Sequence, residues 1–265
     1  MNFTDQLNRK IELPFPPKRI ISLVPSQTEL LYDLGLRDEV VGITKFCVHP
    51  NKWLTTKTHI GGTKKIDFEI IKQLNPDLII GNKEENDKEQ IEELMKHYNV
   101  WMSDIYTLKD ALNMIVQVGT LVGKEEDAIH LKLKTESAFN PSQPPQRGGE
   151  STHKVAYFIW RKPFMVAGNN TFINDMLARC SFVNVFATKD FTRYPEINSQ
   201  QIAKANPQLI LLSSEPYPFK EKHIQEFQII CPNAKIMIVD GEMFSWYGSR
   251  LLHSPAYFEK LKMHC

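Results

Sequence analysis

The segment "NPDLII" at 75–80 returns almost unchanged as "NPQLIL" at 206–211. Each copy carries the same backbone instruction. Pro76 and Pro207 cannot continue a helix, and they bias Asn75 and Asn206 away from the right-handed helical region, so a helix must end there. The apolar runs that follow do not alternate, which is the pattern of strands covered on both faces, as in a parallel sheet. The likeness extends further back. "PSQTELLYDLGLRDEVVGIT" leads to "FEIIKQLNPDLII", and "GNNTFINDMLARCSFVNVF" leads to "SQQIAKANPQLILL". Each unit reads as a polar turn with a helix-starting threonine (Thr28, Thr171), an apolar helix, a short strand, a second helix, Asn-Pro and a strand. Leu30, Leu31 and Leu34 fall at helical spacing, and Gly35 stands where a left-handed C-terminal residue is wanted. Two such units can arise by chance in an α/β protein, but the matching order of the whole unit favours two related lobes.

The expected fold is therefore α/β, with two small lobes, each a mostly parallel sheet flanked by helices. Residues 107–139 lack proline and carry leucine, isoleucine and alanine at helical intervals, so they read as a linking helix region, one or two long helices with a break near Gly119–Gly123. "NPSQPPQRGGEST", 140–152, is rich in Pro, Gly, Ser and Gln and reads as a flexible surface loop. The expected division is 1–106, an N-terminal α/β lobe; 107–139, the link; 140–152, the loop; and 153–265, a C-terminal α/β lobe. Two lobes on one link imply a ligand cleft between them.

Composition narrows the function. With 32 Lys+Arg against 31 Asp+Glu, no basic stripe is dense enough for nucleic acid. "KEENDKEQIEELMK" mixes both signs as a solvated helix does. No Walker A segment, GxGxxG, HExxH or GxSxG occurs, so enzyme signatures are absent, and neither catalysis, an intrinsic cofactor nor a metal of its own is expected. The four cysteines, 47, 180, 231 and 265, show no tight pairing. The first residues hold no apolar leader core and no lipoprotein cysteine, so the sequence as written suggests a cytoplasmic protein.

In open α/β sheets ligands gather beyond the carboxyl ends of the strands. The first lobe supplies Pro25 and Ser26 in "PSQT", and Phe46, Cys47 and His49 in "KFCVHP". The second supplies Trp160 and Phe164 in "FIWRKPF" and Glu215 in "SSEPYPF". It also supplies Glu242, Phe244, Trp246, Tyr247 and Arg250 in "DGEMFSWYGSR". Aromatic walls with a few polar groups suit a large, partly apolar ligand, with Arg250 as a polar anchor. The same aromatics could instead plug the interior at a helix start. Cys47 and His49 admit three readings: metal ligands, contacts to a bound ligand, or turn packing.

The stretches "RIISLVPSQTELLYDLGL", "IGGTKKIDFEIIKQLNPDLIIGNKEEN" and "DGEMFSWYGSR" together resemble the helical-backbone periplasmic binding proteins of ABC importers, nearest to the cobalamin- and iron-siderophore-binding group. The likeness spans 18–262. It implies a cleft that opens little, because the link is stiff, and a monomer that holds a corrinoid, haem or ferric siderophore. It implies ligand contacts at Pro25, Phe46, Glu242, Phe244 and Trp246. It also implies an importer permease as partner, docked by an acidic residue on each lobe. Glu69 fills the first of those positions, and Gln200 stands at the second. On this reading the chain is periplasmic, its leader having been removed. The rival readings are an intracellular metal-chelate or tetrapyrrole carrier or enzyme on the same frame, with Cys47 and His49 as ligands, and a peptide-binding interaction module.

Overall fold

The computed structural model describes residues 1–140 and 153–265. The chain divides into two compact units. The first comprises Met1–Ile105, Lys109–Ser137 and Tyr247–Leu252, and the second Tyr106–Leu108, Ala138–Trp246 and His253–Cys265. The loop expected at 140–152 lies, apart from Asn140, outside the described residues.

The first unit opens with a hairpin, β1 (Asn2–Thr4) and β2 (Lys10–Glu12). It continues through β3 (Ile20–Ser22), α1 (Pro25–Asp33), β4 (Val40–Ile43), α2 (Asn51–Thr56) and β5 (Thr58–His59). Next come α3 (Phe68–Leu74), β6 (Leu78–Asn82), α4 (Lys88–Met95) and β7 (Val100–Ser103), then α5 (Leu108–Leu121) and α6 (Glu125–Phe139). Five strands form one sheet in the order β5-β4-β3-β6-β7, with every pairing parallel. As the unbroken apolar runs require, Leu78, Ile79 and Ile80 are all fully buried. The hairpin segment seals the β7 edge: Gln6 N donates to the Met102 carbonyl, and Met102 N donates to the buried Asp5 carboxylate.

α5 buries Ala111, Met114, Ile115, Val118 and Leu121, one helical face. It ends at Gly123, whose φ of 74° gives the left-handed turn into α6. Gly119 explains why the break falls there. A Cβ on Gly119 would lie 2.2 Å from the Ala128 Cβ, so the two helices approach too closely for any other residue.

The second unit runs β8 (His153–Trp160), β9 (Phe164–Val166), α7 (Phe172–Arg179), β10 (Phe182–Asn184), β11 (Glu196–Ile197), α8 (Ser199–Ala205) and β12 (Leu209–Ser213). It ends with α9 (Ile224–Ile230), β13 (Lys235–Val239), α10 (Glu242–Ser245) and α11 (Ser254–Met263). Its sheet follows β11-β9-β8-β12-β13, with β10 also on β8. β8, β12, β13 and β10 are parallel, while β9 and β11 run antiparallel. Phe158, Phe219 and Phe227 centre its core, joined by Ile202, Ile210 and Leu212.

The repeat is real in three dimensions. α3 starts after the N-cap Asp67 and α8 after the N-cap Asn198, each cap side chain accepting backbone N–H bonds. Both helices end on an asparagine in the left-handed region, Asn75 at φ 43° and Asn206 at φ 45°, before Pro and a buried central strand. Glu69 and Gln200 are each the second residue of their helix, exposed at equivalent places. The two threonines part company. Thr171 caps α7 through the Asn174 N–H, whereas α1 already begins at Pro25, behind a Val24 cap that makes no side-chain bond. Proline supplies the fixed φ of a first helical residue and has no N–H to satisfy, so Thr28 sits inside the helix.

Candidate functional site

In the first unit the carboxyl ends of β3, β4 and β6 carry a buried polar layer. Thr28 Oγ1 lies 2.7 Å from Ser22 Oγ and 2.9 Å from the Val24 carbonyl. Gln27 donates to Ser103 Oγ at 2.6 Å, and Asn82 donates to the same hydroxyl at 2.9 Å. Asn86 Oδ1 accepts the Asn82 N–H, and its amide donates to the Thr63 carbonyl at 3.0 Å. Ser22, Gln27, Thr28, Asn82, Asn86 and Ser103 are all buried. Apart from Gln27 Oε1, which is buried without a hydrogen-bond partner, the bonds of this layer fix one backbone course for the loops above them.

Above that layer lies the turn after β4. Phe46 is 50% exposed and Val48 36%, and the Lys45 ammonium stands 5.1 Å from the Phe46 ring centre. His49 is half-buried just before α2. Pro25 is half-buried and Ser26 buried at the start of α1. Cys47 belongs to the layer beneath and not to the surface. Its exposure is 0%, and its sulfur lies 3.1 Å from Thr28 Oγ1 and 3.2 Å from Thr44 Oγ1. Burial pushes the Cys47 thiol up, and hydrogen bonds from the two threonines oppose that only in part. Burial thus favours the neutral thiol, packed beneath the surface between the two threonines.

Arg250 and Tyr247 also belong to the first unit. Arg250 grips Glu29 of α1 in a two-pronged ion pair, with Nε 2.9 Å from Oε2. The expected ligand anchor is therefore already engaged by a carboxylate, and Tyr247 is buried.

In the second unit Trp160 ends β8 at 40% exposure, edge-on to Tyr217 at 5.7 Å between ring centres. Next to it Arg161 pairs with Glu226, Nε to Oε2 at 2.7 Å. Phe164 is half-buried against Phe158 and Phe227. Phe244 is buried completely, packed on Tyr157, Tyr257 and Phe258. It is a core residue of α10, because the helix turns that side chain inward. Glu242 is half-buried at the start of the same helix.

Glu215 follows β12 directly. Its Oε1 accepts from Ser245 Oγ at 2.7 Å and from the Trp246 indole N–H at 2.8 Å. Burial, the chief cause, raises the Glu215 carboxyl above its ordinary range, and Glu242 and Asp240 push the same way. The two hydrogen bonds oppose that shift. Of the expected site residues, the fold thus gathers Phe46 and His49 at one sheet's carboxyl end. At the other it gathers Trp160, Glu215, Glu242 and Trp246. Tyr217 was not singled out from sequence, although it lies within the "SSEPYPF" stretch already marked.

The whole frame matches known proteins. Residues 20–228 match the periplasmic binding protein family. The chain is 26% identical over 216 residues to an uncharacterized ABC transporter substrate-binding lipoprotein, YvrC of Bacillus subtilis, across 78% of this chain and 67% of that one. It is 27% identical over 212 residues to a vitamin B12-binding protein of Vibrio cholerae, across 76% of this chain and 72% of that one. Among solved structures, the periplasmic heme-binding protein RhuT of Roseiflexus sp. RS-1 in apo form shares the fold. Its TM-score is 0.79 at 19% identity, covering 93% of this chain and 97% of that chain. A match that starts in β3 and runs into α9 takes in both repeats, the whole first sheet and all of the second but β13, and the chain belongs to the periplasmic binding protein family.

Proposed function

We propose that this protein is the substrate-binding component of an ABC importer and that its ligand is a large, partly apolar metal chelate of the corrinoid, haem or ferric-siderophore class. The observation that carries the reading is the exposure of aromatic side chains where a parallel sheet presents its ligand loops. Phe46 is 50% exposed beyond β4, and Trp160 is 40% exposed at the end of β8. A folded chain leaves such rings in water at a cost, and covering them with a flat macrocycle recovers about 25 cal/mol per Å² of apolar surface. Part of that gain is offset by the freedom the ligand loses. The relatives support the class: one is named for vitamin B12, and a structural neighbour is named for heme.

The family is one of binding proteins and not of enzymes, and non-catalytic capture is the role assigned. No helix among the described residues is long and apolar enough to cross a membrane. The importer reading calls for a membrane permease as partner. Glu69 and Gln200, at matching exposed positions of α3 and α8, are the proposed docking points. An extracytoplasmic place of action goes with this reading, as does a monomeric state. The test is a titration of the purified protein with cyanocobalamin, cobinamide, haemin and ferrioxamine B. Tryptophan emission is followed, and gel filtration checks for the co-eluting chromophore. Saturable quenching with about one chromophore per chain is expected for one class. Absence of both signals for all four compounds refutes the proposal.

A further inference from the structure

Glu215 was expected to face a ligand, but its geometry assigns it another task. The residue leaves β12 with its backbone N–H 3.4 Å from Ser213 Oγ, and that hydroxyl also receives the buried Tyr157 hydroxyl at 3.1 Å. The side chain then passes over Gly241. A Cβ there would lie 2.7 Å from Glu215 Cγ and 2.3 Å from Ser213 Oγ, so only glycine leaves the carboxylate its path. Beyond Gly241, Oε1 receives both Ser245 Oγ and Trp246 Nε1. One oxygen therefore ties the loop after β12 to the last residue of α10 and to the indole that follows it. Further bonds steady the same region. Gly241 N donates to Ser214 Oγ at 2.9 Å, and Asp240 N donates to Tyr257 Oη at 2.8 Å.

We propose that Glu215 is a positioning residue of the ligand site: its Oε1 fixes the Trp246 indole and the end of α10, and binding depends on that hold and not on the carboxylate's charge. The assignment rests on the binding reading given above. A ligand group that took Glu215 Oε1 would have to displace two internal donors, Ser245 Oγ and the indole N–H of Trp246, the latter on a side chain only 6% exposed, and would forfeit both of those bonds.

The test separates acceptor from charge. Glu215→Gln keeps a carbonyl oxygen for both donors, and Glu215→Ala removes it. Trp246→Phe deletes the N–H, and Ser245→Ala deletes the hydroxyl. The emission of Trp246 in ligand-free protein, isolated by subtracting the Trp246→Phe spectrum, is expected to shift in Glu215→Ala and to hold in Glu215→Gln. Cyanocobalamin and haemin affinities are expected to fall about tenfold in Glu215→Ala and to stay within about twofold in Glu215→Gln. Adding Glu215→Ala to Trp246→Phe should cost little beyond Trp246→Phe alone.

Equal loss in the Gln and Ala variants would show that the carboxylate itself meets the ligand and would overturn the assignment. Unaltered binding by Glu215→Ala would do the same. Should Glu215→Ala not fold, Ser245→Ala and Trp246→Phe carry the test: each is expected to weaken binding and to move the emission or remove it. Failure of the wild type to bind any probe would refute the binding reading instead. The ligand-free emission then decides the hold on the indole alone: a shift in Glu215→Ala upholds it, and an unchanged spectrum overturns it.

Discussion

Replacing Cys47 by alanine distinguishes a packed thiol from a ligating one. The sulfur is fully buried between Thr28 and Thr44. Its burial contributes about 1 kcal/mol, and a residual void of about 20 Å³ adds about 0.5 kcal/mol. Thr28 Oγ1 keeps Ser22 Oγ and the Val24 carbonyl as partners, whereas buried Thr44 Oγ1 loses its contact with the sulfur, at about 1 kcal/mol. The expected loss of stability is therefore about 2.5 kcal/mol. With a denaturant slope of about 3 kcal/mol per molar, that lowers the urea midpoint by about 0.8 M. Ligand affinity should stay within about twofold, or ~0.4 kcal/mol. A thiol reagent applied to the folded wild type should react first at half-buried Cys265 and more slowly at the buried Cys47, Cys180 and Cys231. A tenfold or greater loss of chelate binding with the urea midpoint unmoved would refute this reasoning and restore Cys47 as a ligand.

Other expectations follow from the same geometry. Phe46→Ala should leave stability within about 0.5 kcal/mol, because the ring is half in water, yet weaken chelate binding about tenfold in the emission titration. Glu215 has a folded pKa above its unfolded one. Its neutral form is thus favoured by folding, and its destabilising effect appears as pH rises through the raised value. Glu215→Gln should accordingly raise the thermal midpoint at pH 7 and lose that advantage at pH 4, with Asp240 and Glu242 still present in both proteins. Gly119→Ala sets a Cβ 2.2 Å from Ala128 Cβ. The clash costs about 2 kcal/mol against about 1 kcal/mol gained in helix propensity, so urea unfolding should show a net loss where an ordinary helical glycine would show a gain. Arg250→Ala leaves Glu29, at 16% side-chain exposure, without its guanidinium. It should cost about 2 kcal/mol in the same assay, and Glu29→Gln should recover part of that loss.

The alternation of elements was written in the chain. Asn-Pro twice over, with an apolar run behind each, determined where two helices stop and where two central strands begin, because proline's missing N–H and fixed φ act locally and need no partner. The same local logic put a break between the two link helices near Gly119–Gly123, and the left-handed turn falls at Gly123; the family resemblance, by contrast, pointed to Glu69 and Gln200. Local logic could not place Thr28, since Pro25 three residues earlier was the stronger start signal.

Burial in the loops was another matter. "KFCVHP" and "DGEMFSWYGSR" have no periodicity to assign a face, so Phe46 and Cys47, adjacent in sequence, read alike although one is half in water and the other sealed. What separates them is a pair of threonines, one from α1 and one from the end of β4. In the same way Arg250 meets Glu29 across a sequence gap of 221 residues, and Glu215 meets Trp246 across 31. The sequence by itself determined the α/β order, the duplication and the loops in which a site could lie. Only the tertiary structure decided which side chains in those loops face outward, because that depends on the partners distant segments supply.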